Sequence, residues 1–385
     1  MTRPDDAMPA HSAPAATDLR QPHALLAGGG TAGHVFPALA VAEELARRGW
    51  RVSFTGLSSG PEARLVAERG IPFHPLPARP LVGKGWSGKA RALGTAMRSG
   101  VAASRLIRAI AADVVLGTGG YASAPAVVGA RLARRPILLL EPNARAGVAN
   151  RWLSRLASGA AVAYRETIRD LRCPCVVTGI PVRAAFFSVA PLPDPAEPAA
   201  SPAPPRLLVL GGSQGAQQIN RAVPAAAARL FARLPELTIL HQAGARHVEE
   251  TRSAYEQAGL GAPAVEVVPF LDDVAGAMGA SCLLVSRAGA ITLAEICAAG
   301  RPSLLLPLAI SQGHQVDNAR LLAAAGGAEL LESAQATPER LAALLGDLLA
   351  DRARLARMGK AARGLARPGA VAAIADRLQE LGEGR

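Results

Sequence analysis

The sequence predicts an α/β protein built from two parallel-sheet domains. Short apolar runs alternate with helical patterns along the chain, as consecutive βαβ units require. A strand–glycine turn–helix unit appears twice, once from residue 23 and again from residue 206. Between the halves lies "SVAPLPDPAEPAASPAPP" (188–205), too proline-rich for a helix or a central strand and read as a linker. At 385 residues the chain is also longer than one hydrophobic core usually supports.

Residues 1–22 hold proline, alanine, serine and charge with no apolar h-region, and read as a disordered leader. The N-terminal domain spans 23–187, with strands at 23–27, 51–56, 113–117, 136–140 and 160–163. The C-terminal domain, 206–367, opens with the strand "RLLVL" (206–210), the glycine turn "GGSQGA" (211–216) and the helix "QQINRAVPAAAARLF". Its further strands fall at 237–241, 265–268, 281–286 and 302–306. Residues 368–385 carry a terminal amphipathic helix, expected to pack back on the N-terminal domain.

Composition narrows the function. Half of the residues are hydrophobic, yet aromatics are only 3%, which argues against base-stacking platforms and hence against nucleic acid. The formal net charge of +12 suits anionic partners such as phosphorylated substrates or an acidic membrane surface. Cys282 and Cys297 sit in apolar segments, and Cys173 and Cys175 lack the second pair that a structural zinc site needs. A reducing compartment is the plain reading. No apolar run approaches the roughly 18 residues that span a bilayer.

"HALLAGGGTAGHVFPALAVAEELARRGW" (23–50) places Gly28, Gly30 and Gly33 in the dinucleotide spacing G-x-G-x-x-G. An NAD site also needs an acid at the end of the second strand, for the ribose hydroxyls. Here that strand ends "VSFTGLSSG" (52–60), with no carboxylate before Glu62; in the second domain it ends "TILHQAG" (238–244), again without one. Two phosphate-friendly turns without that acid suggest a cleft shared by two phosphorylated substrates.

Several further stretches then fall into one order: "GGTAGHVFPALAVAEEL" (29–45), "LVGKG" (81–85), "DVVLGTGGYAS" (113–123), "EPNARAGVANRWL" (141–153), "GIPVR" (179–183), "LGGSQGAQQIN" (210–220), "FLDD" (270–273), "RAGAITLAEICAAGRPSLLLP" (287–307) and "HQVDNA" (314–319). Together they resemble the MurG family, the UDP-N-acetylglucosamine:undecaprenyl-pyrophosphoryl-MurNAc-pentapeptide N-acetylglucosaminyltransferases of peptidoglycan synthesis. The resemblance covers nearly all of 23–320. It implies a GT-B fold, two Rossmann-like domains facing across a cleft. UDP-GlcNAc would be the donor, undecaprenyl-pyrophosphoryl-MurNAc-pentapeptide the acceptor, and the transfer inverting, without cofactor or metal. Asp272 and Asp273 are adjacent and do not form a D-x-D metal motif. A cytoplasmic-face, peripheral membrane location is implied as well.

The residues suit those roles. Ser213, Gln214 and Gly215 form a turn at a helix N-terminus that offers N–H donors to a diphosphate, and Arg183 offers charge. Thr292 and Glu295 have the spacing of a capping box, whereas the family pattern turns Glu295 to the uridine ribose. That pattern also brings the backbone of Ala290 through Thr292, Ile291 included, to the nucleotide, with Leu293 and Ala294 in the same donor-binding segment, and the backbone of Leu271 to uracil. Gln315 and Asn318, three apart on a helix, share a face, and the family uses them on GlcNAc.

In the first domain Thr31, Ala32 and Gly33 border the cleft beside His34, whose ordinary pKa suits proton transfer. Glu141 is an alternative base, and Asn143 resembles the family's site amide. Gly119, Gly120 and Tyr121 form a second glycine turn, a nest for the acceptor diphosphate. Leu81, Val82 and Trp86 among Lys84, Lys89 and Arg91 form an apolar patch rimmed by cations, suited to anionic lipid. The chain departs from the family pattern at Pro142, Ala144 and Ala288. A UDP-GlcNAc 2-epimerase and a non-catalytic UDP-sugar-binding scaffold are the competing readings.

Overall fold

The structure, a computed structural model, describes residues 21–29, 32–78, 86–193, 204–212, 215–308 and 314–384. The first domain carries β1 (His23–Ala27), β2 (Arg51–Gly56), β3 (Phe73–Pro75), β4 (Val114–Gly117), β5 (Ile137–Glu141), β6 (Gly159–Val162) and β7 (Cys175–Val177). Its helices are α1 (Ala32–Arg47), α2 (Pro61–Ala67), α3 (Trp86–Ala109), α4 (Gly120–Leu132), α5 (Val148–Leu153) and α6 (Ala184–Phe187). The second carries β8 (Arg206–Leu210), β9 (Thr238–Gln242), β10 (Val265–Val268), β11 (Leu283–Ser286), β12 (Ser303–Leu305) and β13 (Ala328–Leu330). Around it stand α7 (Gln217–Arg233), α8 (Val248–Gln257), α9 (Val274–Gly279), α10 (Ala290–Ala299), α11 (His314–Ala324), α12 (Pro338–Ala350) and α13 (Arg352–Gly364). The chain closes with α14 (Ala370–Glu383).

Both sheets are parallel, in the orders β3-β2-β1-β4-β5-β6-β7 and β10-β9-β8-β11-β12-β13. Successive strand residues feed opposite cores: Leu26, Leu116 and Leu138 pack with α1, whereas Leu25, Val115 and Leu139 pack with α4. Burial on both faces is why these strands read as unbroken apolar runs. The sequence reading omitted β3, β7 and β13. Each is three residues long and lies at a sheet edge, half open to solvent, so no long apolar run marks it.

In each sheet the winding direction reverses beside the first strand. The turns after β1 and β4 therefore diverge to opposite faces, as do those after β8 and β11. Such a divergence opens a crevice at the carboxyl ends of the strands. The glycines at 28–29, 119–120, 211–212 and 289 lie at these two places.

Helix α14 docks on the first domain. Ile374 and Leu378 are fully buried among Leu39, Trp50 and Leu140, and Arg48 pairs with Asp376. Burying two such aliphatic side chains contributes about 1.5–3 kcal/mol each.

Candidate active site

The crevices of the two domains face each other across a cavity of about 460 Å³. The first domain lines it with Gly33 and Phe36 of α1, and the connecting segment adds Arg183. The second adds Gly211 and Gly212 after β8, Leu271 after β10, Arg287 after β11, Ile291, Thr292 and Glu295 of α10, and Gln315 of α11.

His34 stands in the first turn of α1. The Gly29 carbonyl accepts one of its ring N–H groups, which selects a tautomer and leaves the lone pair on the opposite nitrogen. The Thr118 hydroxyl donates to the His34 carbonyl at 2.9 Å. The ring lies against the 119–120 turn: a Cβ on Gly120 would sit 3.5 Å from Nδ1 and from Cε1. Gly119 and Gly120 have φ of +86° and +70°, a conformation side chains disfavour. Burial lowers the His34 pKa, while the negative charge of Glu141 and Glu62 opposes that shift. The net shift favours the neutral imidazole.

Glu62 explains the glycine at 29. Its carboxylate is wholly buried, accepts the Leu57 N–H at 2.8 Å, and would lie 2.0 Å from a Cβ on Gly29. The only acid near the end of β2 among the described residues is therefore packed under the turn, where it cannot hold a ribose.

Glu141 sits in an arrangement unlike that of an open base. It is 2% exposed, and four donors converge on it. Oε1 accepts from Asn143 N at 3.0 Å and Asn143 Nδ2 at 2.9 Å; Oε2 accepts from Gly147 N at 2.9 Å and Asn150 Nδ2 at 3.0 Å. Thr167 holds the Asn143 carbonyl from the other side at 2.8 Å. The carboxylate organises the 142–147 loop, and that loop reaches the other domain. Asn318 Oδ1 accepts the Ala144 N–H at 2.8 Å, while its Nδ2 donates to Asn143 Oδ1 at 3.1 Å and to the Ala288 carbonyl at 3.3 Å.

Asn318 consequently differs from the sugar ligand expected of it. It is 1% exposed, does not line the cavity, and joins the domains. Asn143 likewise spends its amide on Glu141 and Asn318. Gln315, one turn earlier, does line the cavity, with Oε1 held by Leu308 N–H at 2.9 Å.

The capping box is not formed. Gly289 is the N-cap of α10, and Thr292 and Glu295 lie inside the helix on its cleft face. The side chains of Ala290, Leu293 and Ala294 point into apolar packing on the other faces, as helical periodicity dictates, so these residues can meet a nucleotide only through their backbone. Burial pushes the Glu295 carboxyl up to about 7, against the opposing charge of Arg183 at 4.0 Å. Arg183 also stacks 5.0 Å from the Phe186 ring.

Sequence reasoning passed over Arg287, a half-buried cation in the cavity beside Arg183 and Arg69, and Phe270 and Phe36, which are exposed there. Arg287 opens the "RAGA" stretch, so its place after β11 was the available signal. Thr31, Ser213, Gln214, Leu81, Val82 and Lys84 lie outside the described residues, as do the side chains of Ala32, Trp86, Lys89 and Arg91.

Residues 24–162 match the N-terminal domain of glycosyltransferase family 28, and residues 206–376 match its C-terminal domain. An N-acetylglucosamine transferase of Alkalilimnicola ehrlichii, named as acting on N-acetylmuramyl-(pentapeptide) pyrophosphoryl-undecaprenol, is 44% identical over 356 residues, or 91% of this chain and 96% of the relative. The protein of that name from Halorhodospira halophila is 42% identical over 361 residues, 93% and 98% of the two chains. The chain belongs to the MurG family. Its fold matches the crystal structure of Acinetobacter baumannii MurG with TM-score 0.76 and 34% identity, covering 93% of this chain and 99% of that one. A UDP-N-acetylglucosamine 2-epimerase structure also matches, with TM-score 0.65, over 95% and 98% of the chains, but at 14% identity it shares the fold alone. The GT-B architecture is thus common to both enzymes, and the family membership is what separates them.

Proposed function

We propose that the cleft moves GlcNAc from UDP-GlcNAc to the MurNAc 4-hydroxyl of undecaprenyl-pyrophosphoryl-MurNAc-pentapeptide, with inversion. The observation that carries the reading is the place of His34: its ring lies against the turn at 119–120, and Gly33 just before it lines the cavity. His34 takes the proton of the attacking hydroxyl as that oxygen bonds the anomeric carbon, and the bond to UDP breaks on the opposite face. Charge arising on UDP meets the N-terminus of α7 (17 residues), whose approach contains Gly212 at φ +74° and Gly215 at φ +76°, and the cations Arg183 and Arg287. Glu295 accepts the ribose hydroxyls, and Gln315, its oxygen held by Leu308, offers its NH2 to the sugar. Asn143 and Asn318 hold the domains in register around them.

Incubation with labelled UDP-GlcNAc and a short-chain lipid-linked MurNAc-pentapeptide, with and without EDTA, tests this. Disaccharide that forms in EDTA is the expected product. ManNAc with UDP release would instead indicate an epimerase, and tight UDP binding without either product a scaffold.

A carboxyl with pKa near 7 gives the donor step a pH signature. Ribose hydroxyls donate best to the ionised form, which prevails above about 7. UDP affinity is therefore expected to weaken as pH falls below 7, by up to about tenfold per pH unit. Glu295→Gln should bind weakly at every pH; a wild-type profile in that variant would remove Glu295 from the ribose.

The acceptor lipid requires contact with a membrane surface, and no helix among the described residues is long and apolar enough to cross one. The first domain supports peripheral docking: Trp152 is 67% exposed with the Arg155 guanidinium 4.8 Å from its ring, and Val148 and Ile168 are exposed as well. An amphipathic ring beside cations suits an anionic interface. Leu81→Glu/Trp86→Glu and Trp152→Glu are each expected to reduce flotation with anionic liposomes; binding equal to wild type would refute the docking face.

A further inference from the structure

Beneath the donor turn runs a buried polar chain that no substrate reaches. His241 of β9 is fully buried, with Tyr255 of α8 and Asn220 of α7 on either side at 1% and 4% exposure. Asn220 Nδ2 donates to the Ala243 carbonyl at 2.8 Å, so its Oδ1 is an acceptor. His241 Nε2 lies 3.1 Å from that oxygen and must carry the proton. Nδ1 is then an acceptor, and the Tyr255 hydroxyl, 3.0 Å away, must donate to it. Every proton in the chain has one place. Burial holds the His241 pKa down to about 3, so this single arrangement persists across physiological pH.

The chain ends under the glycine turn. The Ala243 carbonyl that Asn220 fixes is the atom a Cβ on Gly215 would strike, at 2.6 Å. Asn220 Oδ1 itself would lie 3.2 Å from a Cβ on Gly211, and Gly211 N donates to the Gln242 carbonyl at 2.9 Å. Both ends of the turn therefore rest on the strand end that this chain pins. A fully satisfied buried network specifies one geometry, whereas a partly satisfied one does not.

We propose that Asn220, His241 and Tyr255 are positioning residues that hold Gly211 and Gly215, the described ends of the turn after β8, where they receive the donor's diphosphate. This rests on the reading of that turn as the diphosphate site. The test compares UDP with uridine, which lacks the diphosphate, by calorimetry for the first and competition for the second. Wild type should bind UDP far more tightly than uridine; equal affinities would overturn the diphosphate reading itself, before any variant is made. Tyr255→Phe, which removes one hydroxyl, and Asn220→Ala, which frees the Ala243 carbonyl, should each weaken UDP about tenfold, the loss of one buried hydrogen bond. Uridine binding should stay within about twofold, because the uridine contacts come from other segments. Equal losses for both ligands, or no loss in either variant, would overturn the positioning role. Should Asn220→Ala fail to fold, Tyr255→Phe supplies the same comparison.

Discussion

His34→Ala is expected to lower turnover by about 10²–10⁴-fold, the usual contribution of a positioned acid–base group, while UDP binds as it does to wild type. The separation of the two effects follows from geometry. The His34 ring rests on Gly120 and is anchored by the Gly29 carbonyl, whereas the polar groups lining the cavity come chiefly from α10, α11 and the turns of the second domain. Burial lowers the His34 pKa and two carboxylates oppose that, so the neutral base should prevail at neutral pH and turnover should fall as acid protonates it. The measurements are transfer rate against pH and UDP calorimetry on both proteins. Turnover in His34→Ala within a few-fold of wild type would remove the residue from the chemistry. Glu62→Gln should shift the acid limb of the wild-type profile downward, because one of the opposing negative charges is gone.

Glu141→Gln is expected to unfold more readily than wild type by about 2–6 kcal/mol, because two buried N–H donors are left facing an amide NH2 at about 1–3 kcal/mol each. Each carboxylate oxygen receives two N–H donors, so whichever way the amide is turned its NH2 meets two of them. Glu141→Ala leaves four N–H groups without an acceptor, at about 1–3 kcal/mol for each that stays buried. Turnover should fall with stability, since the same loop carries Asn143 and Ala144 to Asn318 and since Asn150 links Glu141 to Gly119. Thermal unfolding and transfer rate on the same preparations decide the matter. If Glu141→Gln unfolded like wild type yet lost turnover, Glu141 would be the base and His34 its assistant.

The contrast between these residues shows how far the chain could be read directly. His34 and the glycine turns follow strands whose apolar runs are unmistakable, so their place at the carboxyl ends of those strands was legible. Glu141 also closes a strand, and that place was legible too, but its four donors come from residues two, six and nine positions onward. Nothing in that spacing announces that they converge.

Gln315 and Asn318 are sharper still. Helical periodicity puts them on one face and offers them equally to a sugar. Only the approach of the 143–144 loop from the other domain divides them, burying Asn318 in an interdomain contact and leaving Gln315 at the cavity. The same holds within α10, where Thr292 and Glu295 fit a capping box by spacing until Gly289 proves to be the cap.

By itself the sequence determined the two parallel sheets, the recurrence of a glycine turn after the first strand of each, and the family. Those properties depend on residues near one another along the chain, where apolar periodicity and turn chemistry act. Only the tertiary structure decided which polar groups face the cavity and which serve the scaffold. That division depends on which donors meet which acceptors across separate elements, as when Asn220, His241 and Tyr255 join from a helix, a strand and another helix beneath one turn. A buried polar side chain is committed by the partner that satisfies it, and long-range packing supplies the partner.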